Sequence, residues 1–297
     1  MNNNINLNLY KDFYAVSIYG SLAKAAEYTY TSAPAISKSI KKLESVLNRK
    51  LFYRKPSGME LTPHGKELLY YVEKSFNNLL IAERNMLETD NLERGKLVIG
   101  MPSNIGSFFL FDKIIDFHNK YPSIEITIIT GTTTKLIELL ETHQVDFVID
   151  SAPINIELDE GFKIKELAEV NCAFITNKDS KDININSIKD LKDKQLILPI
   201  KGTANRKDLD EIFNKYKLNK LNSLNLHTSE MIISAVKKNL GIGYVIENLV
   251  TNDNNIKVLK IKESLPTIKI MLIYNEKYLP TAPRKFINTY IDKELNF

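Results

Sequence analysis

Between Gly20 and Leu47 the chain reads GSLAKAAEYTYTSAPAISKSIKKLESVL, two short helical segments around a tight turn, and the second has two faces that cannot be interchanged. Ile36, Ile40, Leu43 and Leu47 follow i, i+4, i+7, i+11 and fall on one stripe, while Lys38, Lys41, Lys42 and Ser45 lie opposite. One stripe packs; the other stays in water or meets negative charge. Ser32 suits the N-cap because its hydroxyl accepts a free backbone N–H, and Pro34 in the first turn gives up a donor that has no intrahelical partner. Upstream, Ser21 is expected to cap a helix whose Ala23, Ala25 and Ala26 permit close approach, and Leu9, Phe13 and Val16 stripe the helix before it. Three helices then share one small core.

An amphipathic hairpin with a solvated lysine face satisfies the same pattern, but the residues that follow narrow the choice. LFYRKPSGMELT after Leu47 is an extended segment turning at Pro56 to Gly58, and Pro63 starts a long helix, so the order is helix, helix, cationic helix, wing, long helix. A winged helix-turn-helix places such a cationic helix in the major groove of duplex DNA. Charge follows the same division: residues 1–66 hold ten Lys/Arg against four Asp/Glu, a net of +6, and with +4 for the whole chain the other 231 residues carry −2. The basic footprint is confined to the N-terminal module.

Residues 7 to about 92 resemble the N-terminal module of LysR-type transcriptional regulators through Gly20-Ser21, Ala25-Ala26, Ser32-Ala33-Pro34-Ala35-Ile36-Ser37, Leu43-Glu44, Leu51-Phe52-Tyr53-Arg54 and Leu61-Thr62-Pro63-His64-Gly65. The resemblance implies that Ser32, Ser37, Lys38 and Lys41 sit in or beside the major groove with Ala33 and Pro34, that Lys24 and Lys42 lie near phosphates, and that Arg54 stands at the base of the wing. Ala33 departs from the family's usual glutamine and has no group to hydrogen-bond a base edge, although its methyl is able to touch a thymine methyl.

Leu69, Val72, Phe76, Leu79 and Met86 are spaced by 3, 4, 3 and 7 on the following helix, the seam of a short coiled coil or of a helix lying against its own domain. The dimer is the expected arrangement, because single helix-turn-helix units bury little surface and bind as pairs on half-sites about one helical turn apart. In the resembling family this helix pairs antiparallel with its twin, and homodimers commonly assemble into homotetramers.

At Asn91 to Gly95 the pattern changes to alternating strand and helix, the signature of a parallel sheet covered by helices. Strands are expected at KLVIGM, IEITIIT and VDFVID with helices over 108–118 and 135–142, then at CAFIT, QLILP, LNLHT and GIGYVI with helices over 203–216 and 231–238. Late strands in IKVLKI and TIKIMLIY and a helix from Pro283 to Glu294 take the chain back to finish the first lobe. The expected organisation is a winged helix-turn-helix domain over 1–62, a linker and dimerisation helix over 63–92, and over 93–297 an α/β domain of two Rossmann-like lobes, about 95–165 with 267–297 and about 166–266. That order resembles the periplasmic-binding-protein-like effector domain of the same regulators. Gly241-Ile242-Gly243 is more simply a turn than a nucleotide loop, since no third glycine follows.

A two-lobed α/β domain binds ligands at the carboxyl ends of its strands, where helix N-termini present free N–H groups. Those points are Ser103 and Asn104 after the first strand, Thr132 and Thr133 after the second, Ser151 after the third, and Thr203 in the other lobe. By resemblance Ser103, Thr132 or Thr133, and Thr203 line a pocket for a small anionic organic effector, although each is also an ordinary N-cap. Glu230 nearby would instead favour an amine or a polar neutral ligand.

No GxSxG elbow, Walker loop or HExxH is written in the chain, and His64, His118, His143 and His227 stand too far apart for ligand spacing. No catalytic residue, metal site or cofactor is therefore expected. Cys172 is the one cysteine, which excludes an internal disulfide and suggests a buried strand residue in a reducing, cytoplasmic setting. No signal-peptide pattern or membrane-length apolar run appears, and the polar start MNNNINLN is expected to fray. Two functions remain. One is a ligand-responsive regulator with double-stranded DNA, an effector, its own copies and RNA polymerase as partners. The other is a small-molecule-binding or catalytic α/β protein whose helical hairpin ignores DNA.

Overall fold

The computed structural model describes residues 6–87, 94–151, 161–181, 184–218 and 221–291, with backbone only at 87, 104, 107, 204 and 205. Two compact units divide at Glu83/Arg84, and each is taken by itself. The expected fraying of MNNNINLN does not hold over residues 6–8, which form the capped start of α1; residues 1–5, most of the pattern change at 91–95, and the last residues of the C-terminal helix lie outside the described residues.

In the first unit α1 (Leu7–Tyr19), α2 (Leu22–Tyr28) and α3 (Ala33–Leu47) enclose Leu9, Phe13, Val16, Ala25, Ala26, Ile36, Ile40 and Leu43. Asn6 caps α1 by accepting from the Asn8 N–H at 3.1 Å, and Gly20 ends it in the left-handed region at φ 61°. Ser32 caps α3, accepting from the Ala35 N–H at 3.4 Å. Ser21 stands at the N-cap of α2, but its hydroxyl makes no capping bond there; Ala23 faces solvent while Ala25 and Ala26 take the close approach. β1 (Phe52–Lys55) and β2 (Gly58–Leu61) pair antiparallel as the wing. Gly58 is required, since at φ 128° a Cβ would collide with the Gly20 carbonyl that receives the Met59 N–H at 2.8 Å.

Glu44 ties α3 to the wing. Its carboxylate is 9% exposed and accepts from the Leu51 N–H at 2.9 Å, the Phe52 N–H at 3.4 Å and Lys50 Nζ at 3.0 Å. Burial pushes its pKa up, but these donors outweigh burial and hold it below the ordinary glutamate value. A carboxyl with a depressed folded-state pKa stabilises the fold above its unfolded pKa and loses that contribution as pH falls through the folded one. Glu44→Gln is therefore expected to cost about 2 kcal/mol at neutral pH. In paired thermal melts its deficit against the native protein should shrink on acidification below the glutamate range; a deficit independent of pH would contradict this role.

α4 (Pro63–Leu87) corrects the expected coiled-coil seam. Val72 is buried and Leu69 and Phe76 half-buried against the first unit's own core, with the Phe76 ring edge-on to Tyr14 at 5.9 Å. The helix thus spends half its apolar stripe on its own module, where α1 offers an aromatic surface within reach. Leu79 and Met86 remain exposed, as does Leu80.

The second unit is built on one mixed sheet rather than a purely parallel one. Its strands are β3 (Gly95–Met101), β4 (Ile124–Thr130), β5 (Phe147–Ser151), β6 (Phe162–Asn177), β7 (Gln195–Pro199), β8 (Asn222–Leu226), β9 (Ile242–Ile246), β10 (Ile256–Val258) and β11 (Thr267–Asn275), in the order β4-β3-β5-β11-β6-β9-β7-β8 with β10 on β6. The flanks, β4-β3-β5 and β9-β7-β8, are parallel. The middle is antiparallel because β6 and β11 run between the lobes in opposite directions: β6 pairs with β11 through Asn171 and with β9 from Cys172. The covering helices are α5 (Ser103–Ile105), which continues through a π-turn over Gly106–Leu110 into α6 (Phe111–Lys120), then α7 (Thr133–Glu141), α8 (Ala204–Lys215), α9 (Ser229–Lys237) and α10 (Thr281–Phe286). Gly243 is a packing glycine, since a Cβ would press on Val236 and Ile232 of α9.

Cys172 lies in the core of the second lobe at 3% exposure. Burial pushes its thiol up to about 11 despite the hydroxyl of Tyr244 beside it. A thiol that rarely ionises is a packing residue rather than a nucleophile.

A candidate nucleic-acid interface and an interlobe cleft

The outer face of α3 presents Pro34, Ala35, Lys38, Lys41, Lys42 and Ser45 to solvent. None of the three lysines has a salt bridge among the described residues, so their charge is available to phosphates. Lys24 on α2 and Arg54 on β1 are likewise exposed. Arg54 Nη2 donates to the Ser37 hydroxyl at 3.1 Å, which fixes the base of the wing against the middle of α3. Ser32 is exposed but committed to its cap, and Ala33 is half-buried against the core. Tyr30 was missed by the sequence reading. It stands 98% exposed at φ 54° in the turn before Ser32, and only its position between two helices marks it in the sequence.

In the second unit a cavity of about 280 Å³ opens between the lobes. Ser103 and Thr132 line it from one lobe, and Thr203, His227, Thr228 and Ser229 from the other, over apolar walls from Pro102, Pro199 and Ile232. Besides α5, which begins at Ser103, three helices start here. Thr132 caps α7 by accepting from the Lys135 N–H at 3.4 Å, and Thr228 caps α9 by accepting from the Met231 N–H at 3.3 Å. Thr203 holds the N-cap position of α8, but its hydroxyl donates to the Ile200 carbonyl at 3.1 Å and makes no capping bond. Arg206, 5% exposed, braces the wall below by donating to the Pro199 carbonyl at 2.8 Å, Asn225 Oδ1 at 2.6 Å and Asp210 Oδ1 at 2.7 Å.

Other expected pocket residues stand elsewhere. Thr133 and Ser151 attend the buried Asp150: the Ser151 N–H donates to its Oδ1 at 2.6 Å, and burial raises the Asp150 pKa while the Ser151 N–H and the two hydroxyls lower it. Glu230 is exposed and lines a separate groove with Met231 and Lys238, because α9 begins at Ser229 and its first turn carries Glu230 away from the cleft. The objection it raised to an anionic ligand is thereby removed. The Asn104 side chain lies outside the described residues. His227 and Thr228 went unassigned because the expected strand LNLHT covers 224–228, two residues too late; β8 ends at Leu226 and frees them for the turn into α9, which Ser229 opens. Among the described residues His227 is the one ionisable side chain in the lining, and no carboxylate shares it. No group of three or more metal-ligating side chains and no helix long and apolar enough to cross a membrane occurs among the described residues.

A winged helix-turn-helix joined to a two-lobed α/β domain defines a DNA-binding transcriptional regulator of the effector-responsive class. Residues 7–66 match the family model "Bacterial regulatory helix-turn-helix protein, lysR family", and residues 90–293 match "LysR substrate binding domain". The chain belongs to the LysR family of transcriptional regulators. It is 28% identical over 250 residues to a "Probable RuBisCO transcriptional regulator" of Nostoc sp., covering 82% of this chain and 74% of that one. It is 26% identical over 280 residues to the "HTH-type transcriptional regulator GltR" of Bacillus subtilis, covering 93% of each. A full-length OxyR variant from Pseudomonas aeruginosa shares the fold at TM-score 0.73 and 21% identity, over 99% of this chain and 96% of that one. Full-length CbnR in complex with its target DNA does so at TM-score 0.71 and 16% identity, over 98% of this chain and 100% of that one.

Proposed function

We propose that this regulator acts in the cytoplasm without catalysing a reaction, binds pseudo-palindromic promoter DNA as a homodimer or a homotetramer, and is switched by a small organic anion held between its lobes. RNA polymerase is the partner through which a promoter-bound oligomer would act. The observation that carries the effector reading is the convergence of the N-termini of α7, α8 and α9 on one cavity lined by hydroxyls, with no carboxylate in its lining among the described residues. Helix N-termini offer backbone N–H groups and a positive end to an anion. The DNA-facing residues in this reading are Lys24, Ser32, Ala33, Pro34, Ser37, Lys38, Lys41, Lys42 and Arg54; Ser103, Thr132, Thr203 and His227 hold the effector. Leu79 and Met86, which the module leaves uncovered, support pairing of two copies along α4.

A panel of small carboxylates and phosphates, added to the full-length protein at millimolar concentration in a thermal melt, tests the cleft. At least one member should raise the melting temperature by several degrees and alter the gel-shift pattern. Thr203→Tyr, which fills the cavity, should abolish both effects and leave DNA binding in place. A thermal response that survives Thr203→Tyr would place the effector elsewhere.

A further inference from the structure

We infer that the second lobe holds a site for a small oxyanion, a carboxylate or phosphate group, on the guanidinium of Arg206 and apart from the effector cleft. A cavity of about 310 Å³ opens there beside α8 and the edge strand β8, and it shares no lining residue with the interlobe cavity. Arg206 lines it together with Lys201, Asn214 and Ser223, over an apolar floor that includes Phe213.

Arg206 is buried at 5% exposure, yet its donors are only partly engaged. An arginine carries five N–H donors on a planar group. Nε donates to Asp210 Oδ1 at 2.7 Å, and Nη1 donates to the Pro199 carbonyl at 2.8 Å and to Asn225 Oδ1 at 2.6 Å. Nη2 has no acceptor among the described residues, and it is not sealed in the core either. Its two N–H groups therefore meet solvent in the cavity that Arg206 lines. The ion pair is also lopsided: the Asp210 side chain is 39% exposed and shares its charge with water, whereas the guanidinium is nearly dry. The other donors of the lining are free as well. Lys201 is exposed and has no salt bridge, and the Asn214 amide and the Ser223 hydroxyl make no hydrogen bond among the described residues. Two cations thus face one carboxylate in the lining, with an amide and a hydroxyl beside them. That donor set suits the oxygens of a carboxylate or a phosphate, which accept several charge-assisted hydrogen bonds at once. A cation or an apolar molecule would leave those donors unmet.

Isothermal titration calorimetry at constant ionic strength, with inorganic phosphate and with acetate, tests the site in the full-length protein carrying Thr203→Tyr, which fills the effector cleft. At least one of the two anions should bind saturably, and the tighter one names the head group. Adding Ser223→Asp puts a carboxylate into the cavity and should weaken that binding by about ten-fold or more, the loss of one charge-assisted hydrogen bond, while the melting temperature stays level or rises. Lys201→Glu, at an exposed position that bears no packing, should weaken it in the same direction whatever Ser223→Asp does to folding. Phosphate taken up by the α3 lysines is equal in all three proteins and cancels. Absence of saturable binding in the Thr203→Tyr protein overturns the inference, as does binding that neither Ser223→Asp nor Lys201→Glu weakens.

Discussion

Lys38→Ala combined with Lys41→Ala is expected to lower DNA affinity by between about 10² and 10³ at 0.15 M salt, because four phosphate contacts vanish from a dimeric complex and each contributes about 0.9 to the salt exponent. The slope of log K against log salt should flatten by about 3.6 in the same complex. Both side chains are exposed on α3 and bear no part of its packing, which rests on Ile36, Ile40 and Leu43. The melting temperature and circular dichroism of the variant should therefore match the native protein, as for other surface substitutions. Lys24→Ala gives an internal comparison: it lies on α2, outside the groove-facing helix, and should lower affinity by no more than the loss of two phosphate contacts, one per protomer, would. Native affinity in the double variant would remove α3 from the interface.

Asp146→Ala is expected to be the most destabilising single substitution outside the hydrophobic cores. The Asp146 side chain is 4% exposed just ahead of β5; it accepts from Arg84 Nη1 at 3.0 Å and from the Val98 N–H at 2.7 Å, while the residue's own N–H donates to the Val98 carbonyl at 2.8 Å. Arg84 also donates to the Lys96 carbonyl, so one guanidinium and one carboxylate join three chain segments. Taking one partner from a largely buried ion pair leaves the other desolvated without its counter-charge, at a cost of about 3–5 kcal/mol. For a unit of this size that is a fall of roughly 10 °C in melting temperature. Arg84→Met with Asp146→Leu should recover most of the loss, because a paired apolar replacement leaves no charge behind. A melt of Asp146→Ala within a degree or two of the native protein would show the pair to be ornamental.

Much of this architecture was legible because its signals are local. The 3.6-residue stripe of Ile36, Ile40 and Leu43, the cap at Ser32 and the turn at Gly58 each act within a few residues, and α3 and the wing follow from them. Strands such as β7 and β9, buried in the interior of the sheet, announce themselves as short apolar runs. β6 did not, since only CAFIT near its end is apolar. Its first ten residues, FKIKELAEVN, alternate with charge because one face is solvated, and their pairing partner β11 lies about a hundred residues away. The antiparallel middle of the sheet is thus a long-range fact that no local pattern carries. The stripe on α4 was visible, but its partner was not: periodicity states that Leu69, Val72 and Phe76 need covering without saying that Tyr14 and its neighbours on α1 supply the cover. In the cleft, capping chemistry found Thr132 and Thr203, whereas a two-residue slip at the end of β8 hid His227 and Thr228.

The central claim is that the lysine face of α3 meets the phosphates and the groove of duplex DNA in a paired protein. The measurement that bears on it most directly is the affinity of the native full-length protein for a duplex enriched from a random DNA library, titrated across salt concentration. With Lys38, Lys41 and Lys42 engaged on each of two protomers, log K should fall linearly with log salt at a slope of about −5 or steeper. A slope near zero, or no binding even in dilute buffer, would contradict the account at its root.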